Sequence, residues 1–540
     1  MKRALLLAPL LPFLWACQPS TTDRAERTRY EISATLDTSD LSLQCTMDVI
    51  WTNTSDTTLG AIPFTFQLDS AHSLIRAVET NGTTADHRYC TKETDGFEGF
   101  FVELPDPVPP RETAEFRIRF RTNPASYFRE RMLFYSNEFP TIQCLGSKQF
   151  LPHHQVHSDY RVTITHPDEF SLAATGAVTH TESAGPTGHA VEVQTEIEAV
   201  PSYGFVLMKD VELEEATSAG VLIRSFYFED DAKWGRKLLE HSENILAFYT
   251  DTLGFYPQPV LTIIPGYSKP YGGWPVCPNV VGIHRGIDQK KEKAETHAHW
   301  IMAHEIGHQY WGFNCVLEPL DHPQWFGIGM GIYTDMLYTR QFIPEFNHSR
   351  EFSGSYLQAM KKGFNTTILQ SIDSLDKQGF DWNNSVEHDK SFSVLQMLAW
   401  EIGEETFFRL LKQCLDRYKG VNVTLDMFKT DCESLCGQNL DDFFHTWFYT
   451  NDHLEYRVEP PVASRSGDGY ENEITLTRLG NAVISRIEVE ILQEDGESRR
   501  ILFDGTRAKE TTTMATRSPI VNITIDPDEK LLLVNRMDPQ

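Results

Sequence analysis

The sequence predicts a multidomain chain that is β first, mainly α in the middle and β again at the end. Three observations predict it. The 540 residues exceed what one hydrophobic core organises. Apolar residues alternate with polar ones at period two before about residue 215 and again after Pro460. Between those stretches the apolar period becomes helical.

The first β stretch is carried by Leu41, Leu43, Cys45, Met47 and Val49, then Phe116, Ile118 and Phe120, then Tyr160, Val162 and Ile164. Period two gives each strand one buried and one wet face. Pro and Gly punctuate the gaps, as in Asp106-Pro107-Val108-Pro109-Pro110. Residues 28–215 therefore read as an all-β domain. From residue 232, Trp234, Leu238, Leu239, Ile245, Leu246 and Phe248 fit helical turns, and Gly254 ends that helix. Val260 to Ile264 reads as a short strand. Helices are expected over 294–311, 392–401, 404–419 and 439–448, giving a mainly α domain over 216–455. Ile474, Leu476, Ile487, Val489, Ile491, Val521, Ile523 and Ile525 then mark a small β-sandwich over 461–538.

Lys plus Arg number 48 against 76 Asp plus Glu, a formal charge of -28. Such a surface repels nucleic acid and argues against it as a partner. At the N-terminus, Lys2 and Arg3 precede an apolar stretch from Ala4 to Trp15 that is too short to span a bilayer. Residues 1–16 read as a signal peptide. Leu14-Trp15-Ala16-Cys17 resembles a bacterial lipoprotein processing box, which implies a lipid anchor on Cys17, a polar tether over 17–27 and a place in the cell envelope facing the periplasm. Plain secretion is the alternative. The eight remaining cysteines show no paired C-x-x-C spacing of a structural zinc site. Buried thiols and disulfides both remain open for them, and oligomeric state is not legible.

The chemistry concentrates at His304-Glu305-Ile306-Gly307-His308. Histidines four apart on a helix share one face, so both imidazoles can reach one zinc ion. A glutamate beside them can take a proton from a water activated there. This is the H-E-x-x-H pattern, here inside a segment that is helical on other grounds. A catalytic zinc ordinarily has three protein ligands. Glu318, Asp321, His322 and Asp335 are the candidates for the third. His297 reads as a neighbour of the groove and His299 as a surface residue.

Ala303 to Gly312 resembles the M1 family of zinc aminopeptidases, the gluzincin type. Val394-Leu395-Gln396-Met397-Leu398, Glu401-Ile402-Gly403, Trp447-Phe448-Tyr449 and Ile525-Asp526-Pro527 extend the likeness. The resemblance implies a saddle-like N-terminal β domain, a thermolysin-like catalytic domain, one zinc ion and peptide hydrolysis with Glu305 as general base. It also exposes departures. The family's third ligand is the glutamate of a W-L-N-E-G-F-A helix. The similar run here is Trp325-Phe326-Gly327-Ile328-Gly329-Met330-Gly331, with Ile328 at the glutamate position. Asp335 matches a later acidic position and is expected to hydrogen-bond His308 from behind the metal. The family's tyrosine position in a Y-x-K-G run is His388 of His388-Asp389-Lys390-Ser391, which implies an oxyanion role for His388. The run Tyr271 to Asn279 stands where the family carries its amine-binding glutamate and contains no carboxylate. Two readings follow: a zinc metallopeptidase with an altered site, or a degenerate scaffold that binds peptides or envelope components.

Overall fold

The computed structural model describes residues 26–66, 74–122, 131–136, 139–184, 189–266, 272–284, 294–320, 322, 324–377 and 383–537. The expected signal peptide, Cys17 and most of the tether lie outside them. The order of elements is β-rich, then helical, then β again. No helix among the described residues is long and apolar enough to cross a membrane.

The N-terminal region is built on an eight-stranded sheet. At its centre, Arg29–Asp37 pairs antiparallel with Ser42–Thr52 and parallel with Ser158–Pro167. Burial alternates strictly along Arg29–Asp37, as the period-two reading requires. Ile32, Met47, Ile118 and Val162 enter one core. A four-stranded sheet containing Leu59–Thr65 and Gly99–Val108 supplies further side chains to that core. Phe64 stacks on Phe100 with centroids 5.1 Å apart and meets Phe116 of the larger sheet edge-on at 5.5 Å.

A second sheet straddles the 215/216 boundary drawn from the sequence. Its strands run Val211–Ser218, Val221–Phe228, Val260–Pro265, Val280–Ile283 and Gly273–Cys277. The three inner strands are parallel. Val260–Pro265 is buried along its whole length, so it carries no alternation. Helix Ala232–Leu253 follows the second strand and ends at Gly254, as the sequence predicts.

The expected helices at 294, 392 and 404 are observed as Ala294–Gly307, Ser391–Ile402 and Glu404–Arg417. The one expected over 439–448 is a short α-turn, Asp441–Phe444, continued by the π-helical His445–Tyr449. Helix Trp325–Phe342 packs against both Ala294–Gly307 and Ser391–Ile402. It is buried on nearly every side, so it has no amphipathic stripe to announce it. Leu425–Cys436 is a further helix. Among the described residues no disulfide forms, and Cys90, Cys277, Cys315, Cys414 and Cys432 are buried thiols.

Two small sheets close the chain, one around Gly469–Arg478 and one around Arg486–Gln493. Their apolar faces do not form a separate core. Ile474, Ile487, Val489 and Leu531 to Leu533 belong to the same buried cluster as Leu398 and Phe407 of the helices. Trp400 donates its indole N–H to the Arg486 carbonyl at 3.1 Å across that junction.

Candidate metal centre

Helices Ala294–Gly307 and Trp325–Phe342 lie side by side and build the centre. Their close approach rests on small residues. A Cβ added at Gly331 would lie 2.8 Å from Cε1 and Nδ1 of His308, and one added at Gly307 would meet the Gly331 carbonyl at 3.3 Å. These contacts pair 307 and 308 with 331, while 304 pairs with 335, so the helices run in opposite directions.

That direction decides what Asp335 does. The sequence expectation gave it to His308. In the structure Asp335 accepts the Nδ1 hydrogen of His304 at 2.8 Å. Further along an antiparallel helix means further back on its partner, so Asp335 meets the earlier histidine and Gly331 meets the later one. Asp335 is 0% exposed. It also accepts the Trp300 indole N–H at 3.3 Å and a hydrogen bond from Nε2 of His348. Burial works against its charge, yet the His348 and His304 imidazoles outweigh it and hold the carboxyl below the usual range.

His304 and His308 face each other through their Nε2 atoms at 3.0 Å. Burial opposes a charge on His304, but the bond to Asp335 and the nearby carboxylates hold its pKa above the ordinary value. Burial and the charge of His304 push His308 well below its ordinary value. Glu305 is buried beside them. Burial lifts its carboxyl to about 7, and Oε2 has no hydrogen-bond partner. The cleft strand Gly273–Cys277 passes directly over it: a Cβ at Gly273 would lie 2.8 Å from Glu305 Cγ and Oε1. Only glycine lets that strand come so close.

His388 joins the group. It sits on the π-helical segment Asn383–Lys390, its ring centroid is 5.9 Å from that of His304, and its Nδ1–H donates to the Asn383 carbonyl at 2.9 Å. Glu318 does not join it. Its two carboxylate oxygens accept the amides of Gly327 at 2.8 Å and Phe326 at 3.2 Å, capping the first turn of the Asp335 helix. Asp321 lies outside the described residues, and His322 is only half-buried. Among the described residues, no group of three or more His, Cys, Asp or Glu gathers so as to hold a metal ion.

His299 is not on the surface. It is half-buried, stacks on His241 with centroids 3.9 Å apart, and hydrogen-bonds the Tyr338 hydroxyl at 2.7 Å. His297 lies beside Trp300, with centroids 5.1 Å apart. Sequence reasoning missed His348 and Trp300. Neither carries a spacing signal, because His348 comes after the Asp335 helix, at the start of the helical segment Ser349–Ser353, and reaches back to it.

Burial raises the Glu318 carboxyl to about 8 against the pull of its two amide bonds. The unfolded chain holds a glutamate near an ordinary pKa of about 4.3. The fold therefore favours the protonated acid. The stability linked to this proton is complete below about pH 4.3 and is lost as pH rises through about 8. Glu318→Gln, which keeps an acceptor for the helix amides and cannot ionise, is expected to flatten the fall in Tm between pH 6 and pH 9. An unchanged fall, followed by circular dichroism, contradicts this assignment.

Residues 283–447 match the peptidase family M1 domain. That segment is similar to the peptidase family M1 domain, and the curated relatives the chain resembles are aminopeptidases. Half of the chain matches the alanine/arginine aminopeptidase of Saccharomyces cerevisiae at 22% identity, and 53% of it matches aminopeptidase M1-D of Oryza sativa subsp. japonica, also at 22%. A further rice relative, aminopeptidase M1-B, is 26% identical over 27% of the chain. The matches cover 32%, 34% and 17% of these relatives, so the chain spans about a third of the two longer matches. The match places the centre in a segment of metallopeptidase type.

Zinc is the metal such a family implies, and the residues can be tested against it. Two imidazole nitrogens about 2.0–2.1 Å from one tetrahedral zinc lie roughly 3.3 Å apart. The 3.0 Å between His304 and His308 is close to that, and the unpartnered Glu305 oxygen stands beside the pair. Two positions therefore fit. The third does not: Glu318 is bound to helix amides, Asp335 to His304, and Ile328 offers only hydrocarbon. The described donors do not make a three-ligand catalytic site.

Proposed function

We propose that this M1 chain is a peptide-binding scaffold that retains the histidine pair of a metallopeptidase and has lost peptide hydrolysis. The carrying observation is the missing third donor: among the described residues, nothing gathers with His304 and His308 as a ligand set. Two further features support it. His388 occupies the position of the family's phenol, and the described part of the cleft strand, Gly273–Cys277, carries no carboxylate. The cleft itself persists. A cavity of about 430 Å³ lies between the N-terminal β region and the M1 domain, and Phe313 on its wall has its ring 5.6 Å from that of His308.

A second reading, a zinc-dependent peptidase using Glu305 as general base, is favoured by one observation. A buried carboxylate without a partner is costly, and Glu305 persists in that state beside an imidazole fixed by Asp335. In that reading zinc would supply Lewis acidity at His304 and His308. Glu305 would move the proton, and His388 would bind the oxyanion.

One experiment separates them. Wild type and Glu305→Gln are incubated with a mixed peptide library and zinc, and both cleavage and binding are followed. The proposal expects binding by both proteins and cleavage by neither. Cleavage by wild type that disappears in Glu305→Gln overturns the proposal and supports the second reading.

A further inference from the structure

A second pair of imidazoles stands on another face of the helix that carries His304. His241 of helix Ala232–Leu253 stacks on His299 of helix Ala294–Gly307, with ring centroids 3.9 Å apart and planes 10° apart. His241 is 6% exposed, and its Nε2 is sealed with no hydrogen-bond partner. His299 is half-buried, and its Nε2 shares a hydrogen bond with the Tyr338 hydroxyl of helix Trp325–Phe342 at 2.7 Å. Face-to-face contact at that distance suits two neutral rings, or one neutral and one charged, but not two charged rings.

The two rings do not have equal claims on a proton. Lys237 and Glu240 face the pair from the first helix, Glu295 from the second and Glu345 from beyond the third. Lys237 is itself tied to Glu295 at 2.8 Å. Burial and Lys237 oppose a charge on His299, while the Glu295, Glu345 and Glu240 carboxylates favour it. The Tyr338 hydroxyl can accept from the charged ring as readily as it donates to the neutral one. His241 has no such help. Burial, the His299 ring and Lys237 push it down to about 3. A proton there would also leave an Nε2–H facing no acceptor. His299 therefore takes the first proton and bars the second from its neighbour while the rings stay stacked.

The contact joins a helix of the centre to the helix that backs it. Beside it, Tyr249 of the first helix donates its hydroxyl to the Ala303 carbonyl at 2.8 Å, one residue before His304. We infer that the stacked pair is an acid-opened clasp: below neutral pH, uptake of the second proton parts helix Ala232–Leu253 from helix Ala294–Gly307 and loosens the backing of the His304 helix. A parted His241 takes its proton near the ordinary value of about 6.5, and a stacked one only near about 3. The stability given by the closed stack is complete above about pH 6.5 and is lost progressively as pH falls toward about 3. Between pH 7 and pH 5, His241 alone shifts the balance toward the parted form about 20-fold.

The test is amide hydrogen exchange of the full chain at pH 7 and pH 5, corrected for the intrinsic rates, on wild type, His241→Phe and His241→Gln. Wild type is expected to lose about 20-fold of its protection over 232–253 and 294–307, with a smaller loss in strands Arg29–Asp37 and Ser42–Thr52. Neither variant can take a proton at 241, and both are expected to lose most of that pH dependence. Glutamine covers the case where phenylalanine does not fit the stack. Wild-type protection that stays unchanged, that falls as far in either variant, or that falls as far in the N-terminal strands as in the two helices overturns the inference. None of these results touches the peptide-binding reading.

Discussion

Asp335→Ala is expected to cost about 3–5 kcal/mol of folding stability, the range for breaking a buried, hydrogen-bonded charge cluster by removing one partner. Asp335 has no exposed surface and accepts from three donors on three separate parts of the chain: Trp300, His304 and His348. Deleting its carboxylate leaves all three N–H groups without an acceptor in a region closed to water. Each loss is worth about 1–3 kcal/mol, softened by the imidazoles giving up a proton. Asp335→Asn keeps one acceptor oxygen and is expected to fall between the two. Urea unfolding at pH 7 measures this, and a loss below 1 kcal/mol for the alanine variant contradicts the role given to Asp335.

Ile328→Glu is expected to make the stability of the protein depend on metal. Ile328 is 6% exposed on the Asp335 helix and stands at the position where the resembling family has its third ligand. A carboxylate there should raise zinc affinity on the order of 100-fold or more, since even groups behind the ligands change affinity about 10–100-fold. Without metal the variant should be less stable than wild type, because a buried carboxylate replaces hydrocarbon. With zinc it should recover, as a 100-fold excess over Kd contributes about 2.7 kcal/mol. Elemental analysis after dialysis and the zinc-dependent shift in Tm read both halves. Equal metal content in the two proteins defeats the prediction.

What could be read in the sequence was whatever depends on local period or spacing. Strands Ser42–Thr52, Thr113–Thr122 and Ser158–Pro167 alternate because one face is buried, and helix Ala232–Leu253 has its stripe and its terminal glycine. The H-E-x-x-H run places His304 and His308 together because four residues make one helical turn. The rest depended on tertiary geometry. Trp325–Phe342 is buried all round, so its period is masked. Which histidine Asp335 would serve depended on the relative direction of two helices. Glu318 is a chemically plausible ligand by type, and only the fold shows that helix amides already occupy both its oxygens.

The shared core of the helices and the terminal sheets has a consequence for any attempt to divide the protein. Leu532 sends its backbone N–H to the Met397 sulfur at 3.3 Å, and Val534 sends its own to the Leu454 carbonyl at 2.9 Å. A cut near residue 460 would not separate two modules. It would strip from the helical bundle the groups that meet Met397 and Trp400. The last two sheets are thus part of the foundation of the centre, and a fragment holding only the matched family segment inherits an exposed, adhesive flank.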